Sequence, residues 1–314
     1  MGYRYIAAGI SILNDIVHED GTKTVDILGG CGVFAWSSIS HFTNDCILVT
    51  SGGEDLLSRY GAYFKRNSCS TEGIYITMPH THHTRLVYSQ GGKWKEESIW
   101  GDDYFAVQSE NCRTSLRKLK PFLSEETKGI YLDSNAFEAV FSEIDEIRAL
   151  APNARILWEP PTMSSKDPSL RETVRRNILL TDAYSMNTDE AFAFFEVGNE
   201  TDLIKRITAL GRPCFLRKGT DGAAWIEDGR VTDAPAFILE EGVDPTGCGN
   251  SSAAASLYLW REGYSPRDIV RYANAAASLC TLQYGPAELQ YPDAKYSVAS
   301  IRSSFRKHDQ STEV

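Results

Sequence analysis

The sequence predicts an α/β fold: a doubly wound, mostly parallel sheet with helices on both faces and a small β flap beside it. Short apolar runs at 5–12, 46–50, 129–132, 155–158, 182–185, 214–218 and 223–226 read as strands. Helical patterns fall between them, clearest at 55–66, 136–150, 169–179, 188–195 and 200–210. Strands that alternate with helices favour parallel pairing, because each crossover helix covers a face of the sheet.

The flap is expected where this rhythm breaks. Residues 16–30 set a charged turn, His18-Glu19-Asp20-Gly21, between β-prone segments. Residues 72–100 read as strand (GIYITM), polar break (PHTHH), strand (TRLVYS), then a Gly91-Gly92 turn with Trp94 beyond it. That is hairpin chemistry, not crossover chemistry. Pro152 and the Pro160-Pro161 pair mark turns, and no linker or internal repeat divides the chain. The expected organisation is a single domain over 1–306, with lid segments near 16–30 and 72–100 and a frayed tail at 307–314.

The chain has 314 residues, enough for a sizeable core, and 42% hydrophobic with 24% charged residues is an ordinary globular composition. A formal net charge of −10 argues against nucleic acid as the main partner, since phosphate backbones need a positive surface. It leaves room for an anionic small molecule, which a few local donors can hold. Seven cysteines are odd in number, widely spaced and without a CxxC pair, so free thiols in a reducing compartment are expected. No apolar run approaches the ~18 residues that span a bilayer, and no signal-peptide pattern opens the chain. The expected location is the cytoplasm, with no membrane partner.

The segment DPTGCGN at 244–250 carries the chemistry. Pro245 fixes φ, while Gly247 and Gly249 allow backbone angles closed to other residues and a close ligand approach. A small-residue helix follows at 251–260, ending near Gly263 with Pro266 beyond. Unpaired amides at such a helix start, with the positive end of its dipole, form an anion site. A plain helix start without ligand is the alternative.

DPTGCGN resembles the C-terminal motif of the ribokinase-like (PfkB-type) carbohydrate and nucleoside kinases, usually D-T-x-G-A-G-D. Four further segments resemble that family in order: GGCGVFAWSSIS at 29–40, N-x-x-E at 187–190, LRKGTDGAAWIEDG at 216–229 and YANAAASLCTLQYGP at 272–286. Together they span nearly the whole chain. The resemblance implies a ribokinase-like fold with a β lid and an ATP- and Mg²⁺-dependent phosphotransferase. Its acceptor would be a hydroxyl of a sugar, sugar acid or nucleoside-like small molecule.

The resemblance also implies residue roles. The Gly247, Cys248 and Gly249 amides would form the anion hole. Asp15, Gly29, Gly30 and Phe34 would meet the substrate, with an Asx-turn as the alternative for Asp15. Lys218, Thr220, Gly222 and Asn274 would meet the nucleotide, although Asp221-Gly222 is also a plain turn signal, and Lys218 with its neighbour Arg217 could meet phosphate or stand as solvated strand-end charges. Asn187 and Glu190 would orient Mg²⁺ through water, or form a helix capping box, or both. A homodimer through the exposed flap is an analogy of the same kind.

Two departures stand out. Asn250 occupies the position of the family's proton-accepting Asp, and an amide has no useful basicity, so catalysis worth ~10²–10⁴-fold must come from elsewhere or be missing. Asp244 and Asp221 are nearby carboxylates, but neither is at the expected place. Asn250→Asp is therefore expected to raise phosphotransfer, and a catalytically silent nucleotide- or metabolite-binding member is the alternative function. Phe34 stands at the position of a substrate-binding Asn, which suggests a less hydroxylated substrate. His80, His82 and His83 could contact substrate or phosphate, or form a polar loop tip, or hold a metal. Trp36, Trp94 and Trp100 could line a pocket or pack in the core.

Overall fold

The computed structural model describes residues 2–89, 93–240, 242–291 and 297. Its strands are β1 (Tyr5–Ala8), β2 (Ile12–Val17), β3 (Lys23–Gly29), β4 (Cys46–Gly53), β5 (Ile74–Met78), β6 (His83–Ser89), β7 (Lys93–Ser98), β8 (Gly129–Asp133), β9 (Arg155–Glu159), β10 (Ala183–Asn187), β11 (Cys214–Arg217), β12 (Ala223–Glu227) and β13 (Arg230–Ala234). The α-helices are α1 (Cys31–Ser40), α2 (Leu56–Arg66), α3 (Asp103–Asn111), α4 (Leu116–Leu119), α5 (Ile144–Leu150), α6 (Thr162–Lys166), α7 (Arg171–Leu180), α8 (Thr188–Phe195), α9 (Glu200–Leu210), α10 (Cys248–Arg261) and α11 (Pro266–Cys280).

The main sheet runs β13-β12-β11-β10-β9-β8-β1-β4-β5, parallel from β11 to β5, with β12 and β13 antiparallel at one edge. Period-2 alternation divides its side chains between two cores. Ile6, Ile130, Trp158 and Tyr184 pack with α5, α7, α8 and α9 on one face. Tyr5, Tyr131, Leu157 and Phe215 pack with α1, α2, α10 and α11 on the other. This is the expected doubly wound α/β fold with helices on both faces.

Strand parity also decides where the charges at the strand ends point. Asp133, Glu159 and Arg217 follow Tyr131, Leu157 and Phe215 by two residues, so all three project toward the α10 face. Asp133 pairs in register with Glu159, and Asn187 with Arg217. The C-terminal ends of four neighbouring strands thus present one polar row to the start of α10, where open α/β sheets bind ligands.

The lid is a separate sheet of order β3-β2-β6-β7, with β2 and β6 parallel and the outer pairs antiparallel. Ile16, Ile27 and Leu86 give it a small core of its own. GIYITM is not part of it. That segment, as β5, pairs parallel with β4 at the edge of the main sheet, so the flap's second segment begins near residue 83, not 72. The Gly91-Gly92 turn and the 307–314 tail lie outside the described residues.

Two other elements differ from expectation. The run at 5–12 divides, because Gly9 approaches the backbone of Gly32 too closely for any side chain and the strand ends at Ala8. The 136–150 helix shrinks to a 3-10 turn at Ala139–Ser142 followed by α5. Glu138 accepts from the Asn135 backbone and Ser164 Oγ accepts from the Ala136 backbone, so side chains take up the amides that would start a longer helix.

Candidate functional site

The turn before α10 forms as its glycines require. Gly247 caps the helix with φ 83°, and a side chain there would collide with the Phe34 ring. Gly249 is equally constrained, since a Cβ would fall on Nη1 of Arg217. Of the three expected anion-hole amides, that of Cys248 already donates to Pro245 O at 3.2 Å. The Gly249 amide has no acceptor among the described residues.

Asn250 is half-buried and points at the sheet. Its Nδ2 donates to Glu159 Oε1 at 3.1 Å and to Tyr131 Oη at 3.3 Å. The carboxylate beside it is therefore Glu159. Neither Asp221, in a turn, nor Asp244, which accepts from Thr246, takes that place. Glu159 accepts from Tyr131 Oη at 2.7 Å and pairs with Arg217 Nη1 at 2.9 Å. Arg217 reaches on through Nη2 to Glu190 Oε2 at 3.2 Å. Burial pushes Glu159 up, opposed by Arg217 and the Tyr131 hydroxyl. Asp133 faces no such cation at contact distance. Burial, then the nearby Glu159, raises it to about 8.

Two cavities flank this row. The larger, about 580 Å³, is lined by Arg217, Thr220, Gly222, Cys248, Gly249 and Asn274, among others, and by Asn187 at its edge. The smaller, about 310 Å³, lies under the lid and includes Ile12, Cys31, His82, Thr84, Asp133 and Thr162 in its lining. Asn250 lines neither. The row Arg217–Glu159–Asp133 runs from one cavity to the other.

Several expected site residues lie elsewhere. Asp15 lines neither cavity; it accepts from the Asp26 amide and contacts His83 Nε2 at 2.8 Å. Its neighbour Asn14 takes the inward face of β2, against Gly29 and Thr84. Gly29 and Gly30 provide clearance where β3 meets α1, with Gly30 at φ 101°, and line no cavity. Phe34 is 3% exposed and packs on Gly247, also outside both cavities. Lys218 pairs with Glu200 at 2.6 Å, away from the larger cavity. Asn274 lines that cavity, but its Nδ2 donates to the carbonyls of Ala234 and Pro235 and so holds the wall.

Asn187 and Glu190 form the capping box of α8, and Glu190 Oε1 also accepts from Thr162 Oγ1 at 2.6 Å. With both Glu190 oxygens engaged and a guanidinium against one, the pair does not suit direct metal ligation. Among the described residues no group of three or more His, Cys, Asp or Glu could hold a metal ion. The histidines separate: His80 stacks on Trp100 and His83 meets Asp15. His82 is buried, with Nδ1 on Gln108 Oε1 at 2.6 Å. Trp36 packs in the core, and the side chain of Trp94 lies outside the described residues.

Asp133, Glu159 and Tyr131 were not legible as site residues. The available signal was a carboxylate closing each of two apolar strands, GIYLD and RILWE, at the sheet end where ligands bind.

Comparison with known proteins supports the architecture. The structure is similar to a Burkholderia thailandensis nucleoside kinase in complex with inosine, with TM-score 0.71 and 16% identity over 96% of this chain and 98% of that one. It is similar to an aminoimidazole riboside kinase from Salmonella enterica, complexed with aminoimidazole riboside and an ATP analog, with TM-score 0.72 and 16% identity over 95% and 99%. A fructokinase from Vibrio cholerae O395, with fructose, ADP and calcium bound, gives TM-score 0.72 and 15% identity over 96% and 98%. At these identities the likeness shows the fold. No curated protein matches the sequence. No helix among the described residues is long and apolar enough to cross a membrane, and the seven cysteines are free. The profile described as pfkB family carbohydrate kinase matches residues 117–294, more than half of the chain and including the polar row and the α10 turn, so the chain belongs to that family.

Proposed function

We propose that the chain transfers the γ-phosphoryl group of ATP to a hydroxyl of a sugar, sugar acid or nucleoside-like molecule. The observation that carries this reading is the pair of cavities on either side of one buried charged row at the start of α10. The larger has the size of a nucleotide site and opens on the helix terminus, whose dipole favours anions. The smaller lies under the lid, where an acceptor would be shielded from water.

In this reading Thr220, Gly222 and the wall held by Asn274 contact the nucleoside, and the Gly249 amide and Arg217 receive the phosphates. Arg217 suits that role because it lines the larger cavity and its Nε, though buried, has no partner among the described residues. A divalent ion bound with the triphosphate would neutralise phosphate charge; Asn187 and Glu190 would reach it only through water. Transfer then depends on positioning and charge stabilisation. The small molecules bound in the similar structures, inosine, aminoimidazole riboside and fructose, are all polyhydroxylated. A cytoplasmic location and a homodimer through the lid belong to the same proposal.

Calorimetric titration with ATP and Mg²⁺ tests the nucleotide site. Ala277 on α11 lines the larger cavity, and Ala277→Trp should fill it and weaken ATP binding by at least about tenfold. Equal affinity in both proteins would place the nucleotide elsewhere, and no ATP binding by the unaltered chain would remove the kinase reading.

A further inference from the structure

Asn250 cannot accept a proton, and its position shows why the chain tolerates the amide. Nδ2 faces Glu159 Oε1, so an Asp there would set carboxylate against carboxylate. The carboxylates instead stand on the strands, Glu159 closing β9 and Asp133 closing β8 beside it in register. Their duties differ. Glu159 is engaged on both oxygens, by Arg217, Asn250 and Tyr131. Asp133 opens onto the cavity under the lid, which Asn250 does not reach.

We propose that Asp133 is the proton acceptor of this chain, so that the carboxylate function absent at residue 250 has moved to the end of β8. This rests on the phosphotransfer reading above. The acceptor's O–H bond breaks and its proton passes to the Asp133 carboxylate. The freed oxygen bonds to the γ-phosphorus, the bond from that phosphorus to the bridging oxygen breaks, and nucleoside diphosphate leaves with the electron pair. Glu159 acts through its neighbours: it holds Arg217 toward the nucleotide cavity and Asn250 away from the acceptor.

The surroundings suit a base that works near neutrality. Asp133 faces Glu159 and Tyr131 on the sheet, Cys31 at the start of α1, Glu138 in the following turn, and Arg217 beyond Glu159. Across the cavity stand His82, Glu96 and Arg113. Burial and Glu159 raise Asp133 to about 8, while Cys31 is pushed well up and stays a thiol.

The test measures transfer of labelled γ-phosphate from ATP to a panel of inosine, adenosine, ribose and fructose. Asp133→Asn should lower kcat by at least about 100-fold while ATP affinity stays within about threefold. The wild-type rate should rise with pH to a plateau above about 8, a limb that Asp133→Asn removes. A kcat within about threefold of wild type in Asp133→Asn overturns the assignment and leaves phosphotransfer standing. A loss that ATP affinity shares also overturns it. No transfer by the wild-type chain removes the phosphotransfer reading and this inference with it.

Discussion

Asn250→Asp is the substitution that the family resemblance recommends, and the structure turns it into a test of buried charge. The change replaces a donor with a carboxylate oxygen 3.1 Å from Glu159 Oε1. Two unit charges at that separation repel by about 5 kcal/mol at an effective dielectric of ~20. The lost hydrogen bond to a charged acceptor adds about 1.5–3 kcal/mol. Proton uptake by the pair and the nearby Arg217 relieve part of this, so the net cost should be on the order of 2–4 kcal/mol at pH 8. The sign follows from linkage. A carboxyl whose folded pKa is raised stabilises the fold below its unfolded pKa, near ~4, and loses that contribution as pH rises through the raised value. The deficit of Asn250→Asp should therefore be small near pH 4 and complete by pH 8. Denaturant unfolding of wild type, Asn250→Asp and Glu159→Gln/Asn250→Asp at both pH values measures it. The double variant moves the charge without adding one and should recover most of the loss. Equal stability of Asn250→Asp and wild type at pH 8, or a deficit larger at pH 4, would mean that no carboxylate repulsion operates between residues 159 and 250. The single variant is no longer expected to raise phosphotransfer by itself.

Arg217→Ala leaves Glu159 and Glu190 without their shared cation and should cost about 3–5 kcal/mol by denaturant unfolding. Asp133→Asn should do the opposite at alkaline pH. With Asp133 raised to about 8, wild-type stability should fall by a few kcal/mol (order of magnitude) between about pH 4 and pH 8, and the amide should flatten that slope.

The fold was legible because local pattern and global architecture agree at most elements. The apolar runs at 130–132 and 156–158 are buried on both faces, as parallel strands covered by helices require. The glycines of DPTGCGN were readable for a similar reason: a positive φ at Gly247 and the Arg217 approach at Gly249 exclude other residues. GIYITM was misplaced because its partner, β4, lies some twenty residues upstream and leaves no local mark. Asp15 was taken from the family resemblance, but of that residue and its neighbour only Asn14 faces inward on β2. Asp133 and Glu159 each end a strand, where a lone charge reads as solvated, and Arg217 stood open between a phosphate contact and that same reading. Only sheet order brings them into one row, and sheet order is not written in any single segment.

The central claim is that the two cavities exchange a phosphoryl group across that row. The most direct measurement is transfer of labelled γ-phosphate from ATP to a panel of ribosides, pentoses and hexoses by the wild-type chain. A labelled phosphoester should form with at least one hydroxylated acceptor, with ADP in equal amount, and its rate at subsaturating ATP should fall by at least about tenfold in Ala277→Trp. ATP bound with no labelled product from any acceptor would contradict it.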